Sequence, residues 1–151
     1  METLEFVDSK SLSEETLRKV VAIDNSVPTD FDPEWKPTVI DHVERLKYYQ
    51  ELSDSDFFKT VLLGEEIIGL HVIQRGRGAV KNVGFISTLW VHPKHRGKGI
   101  ARKLKAMGVE WARAQKLNYL QTSSHSNNSR MIELNLKAGF QPHAITLRLK
   151  V

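Results

Sequence analysis

The spacing of apolar positions changes period repeatedly along the chain, and each change marks a new element. Leu4 to Val7 alternates as a short first strand. Leu17, Val20 and Val21 then recur at helical intervals behind Ser11-x-x-Glu14, which has capping-box spacing, and this helix is expected to end near Asn25. Ser26 to Pro37 carries Pro28, Pro33 and Pro37 and is expected to be a loop. Thr38 to Gln50 suits a second helix with Val39, Val43 and Leu46 as its inner stripe, ended by the polar break Ser53-Asp54-Ser55-Asp56. Phe57 to Leu63 and Ile67 to Gln74 are apolar runs joined through Gly64-Glu65-Glu66, the pattern of a β-hairpin.

Arg75 to Asn82, with two glycines and three cations, is expected to be a mobile loop, and Val83 to His92 a strand. From Ile100 to Lys116 the pattern is strongly amphipathic. Ile100, Leu104, Met107, Gly108 and Trp111 fall on one face, while Arg102, Lys103, Lys105, Glu110 and Arg113 fall off it. Asn118 to Ser123 is strand-like, Ser124 to Asn127 polar, and Asn128 to Ala138 a short helix with Gly139 at its C-terminal cap. Phe140 begins an expected hairpin through Gln141-Pro142-His143, with Ala144 to Val151 closing the sheet. The sum is an α+β fold of one domain over residues 1–151. It has a mixed, mostly antiparallel sheet of about seven strands flanked by about four helices, with no internal repeat.

Between the strand at Val83–His92 and the long helix lies Arg96-Gly97-Lys98-Gly99-Ile100-Ala101. Strand, glycine turn and helix together make an anion site. Glycine lets backbone N–H groups approach a phosphate, and the helix N-terminus adds partial positive charge. The spacing is neither that of a P-loop nor of a dinucleotide fingerprint.

Leu89-x-Val91-x-Pro93-x-x-Arg96-Gly97-x-Gly99-x-Ala101 resembles the acetyl-coenzyme A motif of the GNAT acetyltransferase superfamily, with Arg96, Gly99 and Ala101 in its three specified positions. Asn128 to Phe140 resembles that family's second signature, an Asn-headed helix closing with Lys-x-Gly-Phe. The resemblance implies a GNAT-like fold and acetyl-CoA as donor substrate. It assigns the diphosphate to the backbone of Arg96, Gly97, Lys98, Gly99, Ile100 and Ala101, and outer phosphate contacts to Lys94, Lys98, Arg102 and Lys103. The pantetheine arm would lie along the strand backbone at Leu89, Trp90 and Val91 and meet Asn128, which also suits a helix N-cap.

Asn135 departs from the family pattern, which often has at this position a tyrosine assigned as the acid that protonates the leaving thiolate. An amide cannot supply a proton at accessible pH, so Asn135 can orient the sulfur but not protonate it; either Ser126, Tyr119 or water is the donor, or the thiolate leaves unaided. His71 and His125 are the candidate bases among six histidines, and a water chain to a distant Glu or Asp would serve equally well. His92-x-x-His95 straddles a proline turn without an obvious third ligand, so no metal is expected. The resemblance places the acceptor near the Ser26–Pro37 and Arg75–Asn82 loops. There Asp30, Asp32 and Glu34 would attract an ammonium, and Phe31 and Trp35 would line a pocket.

Composition narrows the chemistry. The 151-residue chain has no cysteine, so thiol nucleophiles, disulfides and cysteine zinc sites are excluded. Its net charge of +4 suits a polyanionic ligand. No secretory signal or membrane-length apolar run is present, which makes the cytoplasm the expected location. The leading expectation is an N-acetyltransferase moving acetyl from acetyl-CoA to a primary amine, on a small molecule or a peptide, by direct transfer. A homodimer is an expectation at family level only. A non-catalytic acyl-CoA sensor is the alternative. A nucleic-acid-binding domain is disfavoured because the glycine turn interrupts the Lys94–Lys105 cations and no aromatic residues interleave them.

Overall fold

Residues 67–73 are all buried, because the strand they form is covered on both faces. The computed structural model describes residues 2–151. The elements run β1 (Leu4–Asp8), α1 (Glu14–Ser26), α2 (Val39–Glu51), β2 (Phe57–Leu63), β3 (Glu66–Arg75), β4 (Val83–Val91), α3 (Ile100–Ala114), β5 (Tyr119–Thr122) and α4 (Ser129–Lys137). The strands lie in chain order, with β3 central. All neighbours are antiparallel except β4 and β5, which are parallel and joined by α3.

On one face, Val20 and Val21 of α1 and Tyr49 of α2 pack on Phe58, Leu70 and Val72. On the other, Ile100 and Leu104 of α3 pack on Val61, Ile68 and Val91. Gly108 lets α3 cross close to the sheet. A Cβ there would stand 2.8 Å from both His71 Nε2 and Ile73 Cδ1. No helix among the described residues is long and apolar enough to cross a membrane.

Several expectations need correction. The cap of α1 is Ser13, which accepts from Thr16 N at 3.2 Å, while Ser11 Oγ donates to Asp8 O. A capping box does occur, at Thr38 and Asp41 of α2. The inner face of α2 is carried by Leu46 and Tyr49, whereas Val39 and Val43 are exposed. On α3, Met107 and Trp111 are only partly covered, and Lys105, expected on the polar face, is buried. The 75–82 segment holds a short 3₁₀ turn at Gly78–Val80, and Arg75 reaches Lys81 O and Gln115 Oε1.

The sheet has five strands rather than about seven, because residues 141–151 form no ladder. Ile145, Leu147 and Leu149 are more than four-fifths exposed. The alternation is right for a strand, but the segment lies along the loop before α2. There Lys150 Nζ meets Glu34 Oε1 at 2.8 Å and Arg148 Nη1 approaches Asp32 Oδ2 at 3.9 Å.

Candidate functional site

The site begins where β4 ends. Val91 is followed by a 3₁₀ turn at Pro93–His95, then by Gly97 at φ +77° and Gly99 at φ +81°. Both glycines adopt the left-handed backbone that other residues resist. Gly99 is the N-cap of α3, so no side chain caps that helix, and its first turn contains no acid. The leading N–H groups of α3 therefore face outward without a protein partner at the cap. A Cβ added at Gly97 or Gly99 would meet nothing within 4 Å, so the space beyond the turn is open. Arg96 Nε donates to Val91 O at 2.9 Å, fastening the turn to the strand, and its guanidinium lies 4.0 Å from Asp30. Ile100 is buried beneath the turn. Lys94, Lys98 and Arg102 are exposed around it, while Lys103 is drawn away over the Phe6 ring.

A β-bulge opens the sheet beside this turn. β4 pairs with β3 through Val72↔Thr88 and Ile73↔Ile86, so Ser87 is the extra residue. The β4–β5 ladder also stops here, with Ile86↔Thr122 as its last pair. A bulge bends its strand and sharpens the twist. Beyond it, residues 87–91, including Leu89, Trp90 and Val91, keep one backbone edge without a neighbouring strand. The result is a fork between β4 and β5, with the uncapped helix at its mouth.

His71 holds the bulge together. Its Nδ1 lies 2.9 Å from Thr88 O, and only a protonated nitrogen can bond to a carbonyl, so Nδ1 donates. Nε2 then carries the lone pair, and it is buried without a partner against α3. The side chain is fully buried, and burial pushes its pKa down to about 4. A base needs a reachable lone pair; this one points into packed helix. From the other face, Asp24 of α1 accepts from Thr88 Oγ1 at 2.5 Å, Tyr49 Oη at 2.7 Å and Arg45 Nε. Burial and the Asp24 charge push the Tyr49 phenol pKa up. Two buried side chains thus clamp Thr88, the residue beside the bulge, from opposite sides. No motif in the sequence marks Asp24, Thr88 or Tyr49, which only the tertiary contacts bring together.

α4 closes the fork. Asn128 is its N-cap, with Oδ1 accepting from Met131 N at 3.2 Å, and this leaves its Nδ2 free to donate. Asn135 is 8% exposed; its Oδ1 accepts from Lys105 Nζ, and its Nδ2 lies 3.4 Å from Ser124 Oγ. His125 is exposed and stacks on Phe31 with ring centroids 6.4 Å apart, bringing the β5–α4 loop to the loop before α2. Its Nδ1 accepts from Asn127 N at 3.1 Å, so in the neutral ring Nε2 holds the proton and faces outward as a donor. Tyr119, one of the expected proton donors, pairs with Val83 at the far end of the β4–β5 ladder. Ser126 is exposed in the loop. Trp35 is tied down, its indole N–H donating to Asn25 O at 2.6 Å.

The acids of the loop before α2 are not free. Asp30, Asp32 and Glu34 pair with Arg96, Arg148 and Lys150 respectively. The structure also supplies a carboxylate to His92 and His95. Glu66 lies 3.9 Å from His92 Nε2 and 3.8 Å from His95 Nε2. His92 Nδ1 accepts from Lys94 N, so its neutral ring presents Nε2–H to Glu66 rather than a lone pair to a metal. A cavity of about 600 Å³ between α3 and β2 is lined by Lys10, Asp56, Phe57 and Trp111, and touches neither the glycine turn nor the fork.

A family model described as "Acetyltransferase (GNAT) family" matches residues 21–140. Among solved structures, a putative acetyl transferase from Pyrococcus furiosus superposes with a TM-score of 0.76 at 18% identity, covering 99% of this chain and 100% of that one. A glucosamine-6-phosphate N-acetyltransferase from Arabidopsis thaliana gives 0.69 at 14% identity, with 99% of both chains covered. An aminoglycoside N-acetyltransferase solved in complex with CoA gives 0.69 at 14% identity, with 100% and 95% covered. No curated protein matches the sequence.

Proposed function

Because the chain belongs to the GNAT acetyltransferase family, we propose that it transfers an acetyl group from acetyl-CoA to a primary amine by direct attack, without a covalent enzyme intermediate. The observation that carries this reading is the uncapped N-terminus of α3 at Gly97 and Gly99, set beside the unpaired edge of β4. The residues fit the substrate's shape. Outward N–H groups from Gly97 to Ala101 bind the diphosphate, and the helix dipole favours its charge. The free edge at Leu89, Trp90 and Val91 offers the amide-bearing pantetheine arm a strand to lie against. Asn128 Nδ2 is free to donate to that arm.

The acetyl carbonyl then lies near the bulge, where a β4 backbone N–H polarises it and stabilises the oxyanion as the amine adds. The acceptor approaches between Phe31 and His125. His125 serves it as a hydrogen-bond donor through Nε2 in the tautomer that Asn127 imposes. Proton removal from the ammonium falls to water in the open fork, since His71 is sealed beneath α3. With no cysteine in the chain, a thiol-bound acyl intermediate is excluded. Two structural neighbours, named as acetyltransferases of an aminoglycoside and of glucosamine 6-phosphate, support a small-molecule amine as acceptor, with a peptide as the alternative.

Two measurements test the reading. Calorimetry should show acetyl-CoA binding to the wild type and loss of at least about tenfold in affinity in Gly99→Asp, whose carboxylate would oppose the diphosphate. Thiol release should be seen with at least one of spermidine, tyramine, kanamycin, glucosamine 6-phosphate and an alanyl tetrapeptide. Unchanged affinity in the variant would refute the site. Binding without turnover across the panel would return the protein to the sensor reading.

A further inference from the structure

Of the 22 lysines and arginines, Lys105 alone is buried, at 6% exposure. A buried ammonium normally has a carboxylate against it, because desolvation of an unpaired charge is expensive. Among the described residues, none lies within ion-pairing distance of Lys105. Its Nζ donates to one acceptor, Asn135 Oδ1, and lies 4.8 Å from the centroid of the Phe140 ring. An ammonium has three N–H donors, so two are left without a protein acceptor. Burial alone pushes its pKa down to about 8. Packing does not explain the charge, since an apolar chain of the same length would fill the space without desolvating anything.

The position of this charge suggests its purpose. Asn135 also reaches Ser124, and Ser124 lies two residues beyond Thr122, the last β5 residue paired to β4. The line Lys105–Asn135–Ser124 therefore sits at the crotch of the fork. An extended chain anchored at the glycine turn and laid along Val91 to Ser87 covers about 13 Å at the usual rise per residue. Its far end arrives where the two strands part. Under the acetyl-CoA reading, on which this inference rests, that end is the thioester.

We propose that Lys105 is the acid of the reaction, its ammonium oriented by Asn135 to protonate the sulfur that leaves the acetyl group. The neutral amine nitrogen attacks the carbonyl carbon, a C–N bond forms, and the carbonyl oxygen becomes an oxyanion. As the oxyanion collapses, the C–S bond breaks and its electron pair goes to sulfur, which takes a proton from Lys105 Nζ. The amine nitrogen gives its surplus proton to water. Neutral Lys105 is reprotonated by water from the groove of about 290 Å³ that it lines with Arg102, Val109, Glu110, Arg113 and Ala138. The net change is thioester plus amine to amide plus thiol. Asn135 is then a positioning residue, and Lys105 supplies the proton that an amide cannot. The other titratable groups facing Lys105 are Arg102, Glu110 and Arg113 along α3 and His71 on β3; α4 presents the Asn135 amide.

The test uses the full chain and coenzyme A itself, with thiolate ultraviolet absorbance reporting the titration of the bound thiol. In the wild type the bound thiol should ionise at least about tenfold more readily than free coenzyme A, because a neighbouring cation favours the thiolate. In Lys105→Met this shift should vanish while calorimetric affinity for coenzyme A is retained; Lys105→Arg should keep it. With the most active amine of the panel, Lys105→Met should lower kcat about a hundredfold, leave KM for acetyl-CoA unchanged, and abolish the alkaline fall in kcat. An unshifted thiol in the wild type, or a shift that survives in Lys105→Met, overturns the role of Lys105 while leaving the acetyl-CoA site intact. Failure of the wild type to bind coenzyme A at all overturns the site and, with it, this inference. Should Lys105→Met not fold, the wild-type titration still decides.

Discussion

Acidification puts a proton on His71 in a place that cannot solvate it. The imidazole is fully buried, Nδ1 already donates to Thr88 O, and the proton must go to Nε2, which faces α3 at Gly108. Its pKa falls from 6.5 to about 4, from burial first, with the Lys105 charge adding to the shift against the hydrogen bond to Thr88. The unfolded chain, titrating at 6.5, binds more protons than the folded one throughout that interval, so stability falls as pH drops. A shift of roughly 2.5 units corresponds to about 3 kcal/mol, most of it lost between pH 6.5 and pH 4. Urea unfolding of the wild type and His71→Leu at pH 7 and pH 4.5 isolates the contribution, because other carboxylates and histidines titrate alike in both. At pH 7 the variant should be less stable by about 1 kcal/mol, from the unpaired Thr88 carbonyl. Between the two pH values the wild type should lose about 2 kcal/mol more than the variant. Equal losses would refute the burial argument and reopen His71 as a solvent-reachable base.

Gly99→Val should reduce stability by about 1–2 kcal/mol, the cost of a side chain in the left-handed region, and weaken acetyl-CoA binding by more than that, since the added atoms project into open space. Calorimetry beside thermal unfolding checks this, and an affinity loss no larger than the stability loss would count against the turn as a ligand site. Asp24→Ala strands the Arg45 guanidinium and frees the Thr88 and Tyr49 hydroxyls, and should destabilise by about 3 kcal/mol or more in urea. A change below about 1 kcal/mol would show that the bulge does not depend on the clamp.

The glycine turn was legible because its chemistry is local. Gly97 and Gly99 hold positive φ with no steric cost, and the amphipathic run after them forms a helix, so a few adjacent residues encode an uncapped helix N-terminus. Asn128 is legible for the same reason, as both a cap and a signature residue. The helices of the first half occupy the places their periodicity predicts, but the buried face of α2 does not follow its apolar stripe. Val39 and Val43 have the right period for burial, and period alone does not say whether a neighbour exists to bury them. Residues 144–151 alternate yet join no ladder, since an alternating pattern specifies a strand and not the edge it pairs with.

The amino-acid order by itself determined most of the elements, the glycine turn and the family signatures, all written in residues close together in the chain. Tertiary structure alone decided what surrounds the bulge at the fork. Ser87 becomes a bulge only when β4 pairs with β3, and His71 and Asp24 clamp Thr88 from 17 and 64 residues away. Lys105, which helical periodicity puts in solvent, is buried because α4 folds back over it and sets Asn135 thirty residues downstream against its ammonium. Burial and charge pairing depend on what covers a face, and a single chain's pattern carries no record of the partner until the fold supplies it.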